Sequence, residues 1–192
     1  MKRNSDSSPS ICSVAYLPHS PVGKIGLASS EDGLLVLEMQ IETEDFEAKL
    51  KEKGYLIKQT SSLILEQAID QLENYFNGRL ECFDVPIAWQ RFTPFQEKVL
   101  RTTFAIPYGQ VKSYAEIAQE VGQPRAARAV GQVEARNPLP IIIPCHRVIG
   151  SDGSLHGYGA AGGLETKARL LELEGVKVWN LRNRHQQAER SL

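Results

Sequence analysis

Apolar positions in the first 90 residues fall in short runs and then switch to a helical period. Residues 11–17, 24–28 and 34–39 are rich in branched and aromatic residues, with Glu31-Asp32-Gly33 as the turn before the last run, so three strands are predicted. A charged helix is predicted over about residues 45–53, stopped by Gly54. A longer helix carries Leu65, Ile69, Leu72 and Phe76 at helical spacing and ends at Asn77-Gly78. Residues 80–88 read as a strand or an extended link containing Pro86, and a domain boundary is placed near 86–92. The half from 11 to 90 is therefore a small α+β unit without a motif that carries chemistry. Cys12 and Cys82 read as small apolar residues. Residues 1–10, polar and serine-rich, and the basic stretch 177–192 are predicted to be loose tails.

The pattern from 91 to 176 is mainly helical. Thr93-Pro94-Phe95-Gln96 combines an N-cap threonine, proline at the first helical position and a glutamine three residues on, and Phe95, Val99, Leu100 and Phe104 face inward. Ser113-Tyr114-Ala115-Glu116 is a second capping box, opening a short helix that ends at Gly122. A third helix is predicted from Arg125 to about Ala135. Short helix, glycine turn and second helix make a helix-turn-helix pattern. In that third helix Ala126, Ala127 and Ala129 interleave with Arg125 and Arg128. Two arrangements satisfy this face: a surface that meets nucleic acid, or a helix packed on its neighbour with solvated arginines. The apolar run 139–143 reads as a short buried strand, residues 151–154 as a hairpin-like turn, and 157–163 (GYGAAGG) as a glycine-rich loop. A last helix is predicted over 164–174, burying Leu170, Leu171 and Leu173 and stopping at Gly175.

Composition adds two constraints. No apolar run approaches the length of a membrane span, and serines and Asp6 follow Met1-Lys2-Arg3 where a signal peptide needs its apolar core, so the chain reads as cytoplasmic. The net charge of −1 hides an asymmetry: residues 1–92 hold 9 Lys and Arg against 14 Asp and Glu, and residues 93–192 hold 13 against 9. A net of −5 beside a net of +4 is compatible with nucleic-acid binding by the second half, although solvated surfaces also divide this way.

The chemistry is concentrated in Pro144-Cys145-His146-Arg147. A cysteine is a strong nucleophile once it is a thiolate, and the adjacent histidine and arginine offer positive charge that could lower its pKa from about 8.5. The competing reading is a buried structural cysteine beside a surface His-Arg pair. Cys12, Cys82 and Cys145 form no CxxC pair, so neither a zinc site nor a disulfide framework is predicted. Glu174 lies at a helix C-terminus, where the helix dipole disfavours a carboxylate, which calls for a cationic partner.

Residues 93–175 closely resemble the O6-alkylguanine-DNA alkyltransferases, the methylated-DNA–protein-cysteine methyltransferases. The matching segments are TPFQEKV, IPYGQVKSYAEIA, RAARAVG, RNPLPIIIPCHRVIGSDGSLHGY and GGLETKARLLELEG, in the family's order. The resemblance implies a ribonuclease-H-like α/β domain over 11–90 and a winged-helix-like DNA-binding domain over 91–176. It implies that Cys145 accepts the alkyl group irreversibly, with His146 as its base through a water and Glu174 holding that histidine. Tyr114 would protonate the departing guanine, and Arg128 would fill the gap left by the flipped nucleotide. Asn137 would brace the turn between recognition helix and active-site strand. Val148 and Tyr158, with Gly159 beside them, would line the base pocket. The implied substrate is duplex DNA carrying O6-alkylguanine, with O4-alkylthymine as a second lesion, and the implied form is a monomer without metal or organic cofactor.

Two features depart from the family pattern. The GYGAAGG loop is longer than the commoner GYxGG form and edges the alkyl pocket, which affects the range of alkyl groups accepted. Glu134 stands late in the recognition helix where the family usually has a neutral residue, so it either faces away from the phosphates or weakens DNA affinity. The cysteine–histidine cluster that binds zinc in some relatives is not present in the N-terminal segment. Two other functions compete with alkyl transfer, and a third could accompany it. A non-enzymatic binder of damaged DNA would not need Cys145. A turnover thiol hydrolase would need direct transfer between adjacent Cys145 and His146 side chains, a geometry neighbours rarely adopt. A regulator of transcription through the helix-turn-helix would be a secondary role.

Overall fold

The computed structural model describes residues 10–58 and 60–177. Four strands form the N-terminal sheet: β1 (Ser10–Leu17), β2 (Ile25–Ser30), β3 (Gly33–Met39) and β4 (Tyr55–Ile57), in the order β3-β2-β1-β4. The first three pair antiparallel, and β4 joins β1 in parallel. Sequence reading misses β4, which is only three residues long and too short to show a period. The expected tails of 1–10 and 177–192 lie outside the described residues, except Ser10, which starts β1, and Lys177, which comes after the last helix.

Helices α1 (Thr43–Glu52) and α2 (Leu63–Phe76) flank the sheet. Phe46 and Leu50 of α1 join Cys12, Ala28 and Leu35, while Leu65, Leu72 and Tyr75 of α2 join Ile25, Leu27 and Leu37. A sheet covered on both faces needs apolar residues at successive positions, and the first five residues of both β2 and β3 are buried. Gly26 makes the α1 side possible: a Cβ there would sit 2.8 Å from Cδ1 of Phe46, whose ring lies against the strand. Ser62 caps α2 by accepting from Leu65 N at 3.4 Å.

The chain then runs extended along the start of β3. Leu34 N–H donates to Pro86 O at 2.9 Å, and Ala88 N–H donates to Leu34 O at 3.2 Å. Of the two forms predicted for 80–88, the extended link is the one found, with an isolated bridge between Leu34 and Ile87. One turn of 3-10 helix, Trp89–Arg91, leads to α3 (Pro94–Phe104), whose capping box is complete. Strand β5 (Lys112–Ser113) passes directly into α4 (Tyr114–Glu120), also opened by a complete capping box, and α5 (Ala127–Glu134) comes after the Gly122 turn. Arg125 precedes α5 in a turn closed by Ala126 N–H to Gln123 O at 2.8 Å, so the helix starts two residues later than predicted. Residues 145–147 form a 3-10 turn, β6 (Val148–Ile149) pairs parallel with β5, and α6 (Gly163–Leu173) ends the described chain.

One expectation fails here. Residues 139–143 are buried but form no strand: Ile141 takes φ 73°, and Ile143 N–H closes a turn on Leu139 O at 2.8 Å. Pro138 and Pro140 supply no N–H for a ladder, so an apolar run that looks like a strand folds into a buried turn. Leu37 N–H of β3 donates to Pro138 O at 2.8 Å, and one apolar cluster runs from Leu27 and Leu37 through Val99 and Leu100 to Ile141 and Ile143. The two halves therefore share a core.

Substituting Gly26→Ala should destabilise the protein by about 1–3 kcal/mol, because the new methyl overpacks against a fully buried ring. Denaturant unfolding checks this, and the double variant Gly26→Ala with Phe46→Leu should recover part of the loss.

Candidate active site

The buried turn 138–143 sets the position of Cys145. Asn137 holds both ends of that turn: its Oδ1 accepts from Leu139 N at 3.0 Å and its Nδ2 donates to Ile143 O at 2.8 Å. Cys145, at the exit, is 4% exposed. Burial pushes its thiol up to about 12, with the charge of Glu134 adding to the rise; a hydrogen bond from Asn137 and the charge of Lys167 act against it. The expected lowering by the adjacent His146 and Arg147 does not occur, because both are engaged elsewhere.

Their partner is Glu174. His146 Nε2 lies 2.7 Å from Glu174 Oε1, Arg147 Nε donates to Oε2 at 2.9 Å, and Arg147 Nη2 donates to Oε1 at 2.9 Å. Tyr75 OH of α2 donates to Oε1 at 2.8 Å, and Gly109 N–H donates to Oε2 at 3.2 Å. Burial alone would raise this carboxyl, but the bonds and charges of His146 and Arg147 outweigh it and hold it down at about 2. The unfavourable helix-end position is thus offset by a full set of donors. Arg147 Nη1 also donates to Ile106 O at 2.6 Å, and Tyr108 OH donates to Leu173 O, a helix-end carbonyl, at 2.9 Å.

His146 is fully buried, and desolvation lowers its pKa despite the raising effect of Glu174. The imidazole is therefore neutral near pH 7, and a carboxylate at Nε2 fixes the proton there. Nδ1 is buried and has no partner, leaving its lone pair free to take a proton.

On the other side of the cysteine, Tyr114 OH donates to His156 O at 3.2 Å and Gly157 O at 3.4 Å, and burial raises the phenol to about 12. Lys167, fully buried on α6, donates from Nζ to Val148 O at 2.6 Å and to His156 O at 2.9 Å, and burial lowers it to about 8. Its Nζ lies 5.7 Å from the Tyr114 ring centroid. Val148 is buried, and the Tyr158 hydroxyl is buried without a partner. Gly159 passes the end of α5 so closely that a Cβ there would collide with the Ala135 carbonyl oxygen. Arg128 and Ala129 of α5 and Arg125 in the turn before it are exposed, and Ala126 and Ala127 are half-buried. Glu134 is buried, so of the two orientations predicted for it the one turned from the arginine face is found.

A model of the 6-O-methylguanine DNA methyltransferase ribonuclease-like domain matches residues 14–89, and a model of the same enzymes' DNA-binding domain matches residues 94–176. The methylated-DNA–protein-cysteine methyltransferase of Methanosarcina barkeri is 45% identical over 158 residues, covering 81% of this chain and 92% of its own. The chain belongs to this family. The constitutive Bacillus subtilis methyltransferase is 42% identical over 157 residues, covering 82% of this chain and 92% of its own. Among solved structures, that of the Mycobacterium tuberculosis OGT in complex with DNA is similar with a TM-score of 0.70 and 40% identity, covering 84% of this chain and 92% of that one.

Within this alkyltransferase fold Asn137, Tyr114 and Tyr158 come near Cys145, Val148 is buried three residues after it, Glu174 holds His146, and Arg125 and Arg128 are exposed. Sequence reading overlooks Lys167, Tyr75 and Gly109. Lys167 leaves a usable signal: with Leu170, Leu171 and Glu174 it falls on the buried stripe of α6, an odd place for a lysine. Tyr75 leaves none, since its partner lies 99 residues away. Among the described residues no cluster of His, Cys, Asp and Glu could hold a metal ion, and no helix is long and apolar enough to cross a membrane.

The Glu174 network predicts an acid transition. A folded pKa of about 2, below the ordinary value of 4.5, gives stability that is present above pH 4.5 and is lost as pH falls toward 2. Glu174→Gln should cost about 3–5 kcal/mol at pH 7, because Arg147 is left buried without its counter-charge. Urea titrations between pH 2 and 7 should show that difference shrink as the wild-type carboxyl protonates.

Proposed function

We propose that the protein repairs alkylated DNA by moving an alkyl group from O6 of guanine to the sulfur of Cys145, once per molecule. The observation that carries this reading is the state of His146, neutral, tied through Nε2 to Glu174, unpartnered at Nδ1, and next in the chain to a buried thiol. Such a group can accept a proton through one bridging water, and does not require direct contact between neighbouring side chains.

The lesion must leave the base stack before its oxygen can be reached, at a cost of about a few kcal/mol. Arg128 fills the vacated space and offsets part of that cost. Arg125, with the exposed Arg136 at the far end of α5, meets phosphates, and the small Ala126, Ala127 and Ala129 let the helix approach closely. Val148, Tyr158 and Gly159 line the space that receives the base. His146 takes the thiol proton as sulfur attacks the alkyl carbon; the C–S bond forms and the C–O6 bond breaks. Tyr114, kept protonated by burial, gives its proton to the departing guanine. A thioether has no route back to thiol here, so the reaction ends. O4-alkylthymine presents the same alkyl–oxygen bond and fits the same chemistry. The substrate is duplex DNA, the acting form a monomer and its place the cytoplasm.

Incubation with duplex carrying labelled O6-methylguanine should place the label on Cys145 alone, at no more than one equivalent per chain. Cys145→Ser should abolish transfer and keep duplex binding, since a hydroxyl ionises far less readily than a thiol. Product beyond one equivalent with Cys145 still free would overturn the reading.

Two further variants test the roles of Tyr114 and Arg128. Tyr114→Phe should slow transfer on the order of 100-fold or more with DNA affinity nearly unchanged. Arg128→Ala should impair reaction with duplex far more than with the free alkylated base. Single-turnover kinetics on both substrates checks each.

A further inference from the structure

Glu134 is a buried carboxyl that the reaction as described does not use. It is 5% exposed, and Thr103 Oγ1 of α3 donates to its Oε1 at 2.6 Å. Its Oε2 is buried and has no partner. A carboxylate with an unpaired buried oxygen is costly as an ion and much less so as a neutral acid. The groups around it are those of the reaction. Tyr114 on α4 and Cys145 in the 3-10 turn both feel its charge, and so does Lys167 on α6. Thr103, its neighbour on α3, carries no charge, and Arg128 and Arg136 near it in sequence are exposed. His146 turns to Glu174 instead, and the Tyr158 phenol responds to Cys145. Lys167 donates to two carbonyls, so its charge reaches Glu134 through space.

We infer that Glu134 is a positioning residue for alkyl transfer: neutral, it lets Cys145 and Tyr114 give up their protons, and ionised, it opposes both. This rests on the transfer reading above. Two anions form in turn at one buried place, a thiolate as sulfur attacks and a phenolate as guanine is protonated. Lys167 favours each and an ionised Glu134 disfavours each. Desolvation raises the Glu134 carboxyl to about 7, against the opposing effects of the Thr103 bond and the Lys167 charge, so both of its forms are populated near neutral pH. No proton is consumed or released by Glu134 over the reaction; it acts only through its charge.

Glu134→Gln mimics the neutral acid and can still accept from Thr103. The rate of transfer from duplex O6-methylguanine should be nearly the same for the two proteins at about pH 5.5, where the carboxyl is protonated. At about pH 8.5 the variant should be faster by on the order of threefold to tenfold, the equivalent of up to about one unit of thiol pKa. In parallel, the rate of Cys145 alkylation by iodoacetamide, located by mass spectrometry across the same pH range, reads thiol ionisation without DNA. It should report a lower thiol pKa in the variant. A rate ratio that does not change with pH, or a thiol pKa that does not fall, overturns the assignment of Glu134 while label on Cys145 in both proteins leaves the transfer reading standing. If neither protein accepts label from DNA the transfer reading fails, and the iodoacetamide profile still decides whether Glu134 acts on Cys145.

Discussion

The Glu174 carboxylate is the interaction on which the rest depends. It is buried at the end of α6, and its five hydrogen bonds come from α2, the loop before β5 and the active-site turn. Removing a carboxylate from water costs several kcal/mol, and good geometry with near-complete pairing is what returns that cost. Each donor is fixed in turn: Arg147 by Ile106 O, and Tyr75 by its place in the α2 core. One ion thus joins Tyr75 of the N-terminal domain to His146 and Arg147, the two residues after Cys145. The N-terminal half reaches the site through Tyr75, which bonds Glu174, and through Leu37, which bonds the turn before Cys145.

Two further constraints shape the surroundings of the cysteine. The Asn137 clamp sets the buried turn, and the β5–β6 pairing sets where Tyr114 begins its helix relative to that turn. Parallel register puts Ser113 beside Ile149, so the capping residue of α4 and the strand leaving the cysteine share one frame. The Lys167 ammonium then ties β6 to the 156–158 loop by donating to a carbonyl of each. Phenol and ammonium meet at His156 O, so the 156–158 loop is held from two sides.

Much of this was legible in the sequence where the signal is local. Both capping boxes, the Gly122 turn and the amphipathic helix α2 are specified by residues within a few positions of each other. The buried run 139–143 reads as a strand because hydrophobicity reports burial and not backbone form; Pro140 within it and Pro138 before it are the better guide. The short β4 was invisible because three residues carry no period. In the site, Cys145, His146 and Tyr114 stand in motifs, whereas the Tyr75 bond spans 99 residues and has no local trace. The thiol pKa departs from the sequence expectation for a related reason. Charge adjacent in sequence says nothing of where it is spent, and Arg147 is spent on Glu174 and Ile106.

The protonated resting state of the Cys145 thiol bears on how such a site must work. A cysteine that stood ionised at rest would react with any soluble electrophile, and a protein that reacts once could not recover. Burial keeps the Cys145 thiol protonated, and His146, next in the chain, is neutral with Nδ1 unpartnered. Both protonation states suit the free protein, and neither alone makes a strong nucleophile. Reactivity then requires the sulfur to lose its proton in the same event in which it meets the alkyl carbon. In the proposed transfer the lesion supplies the one partner for which that loss is worthwhile, so selectivity would lie in coupling the two steps and not in a permanently activated thiol.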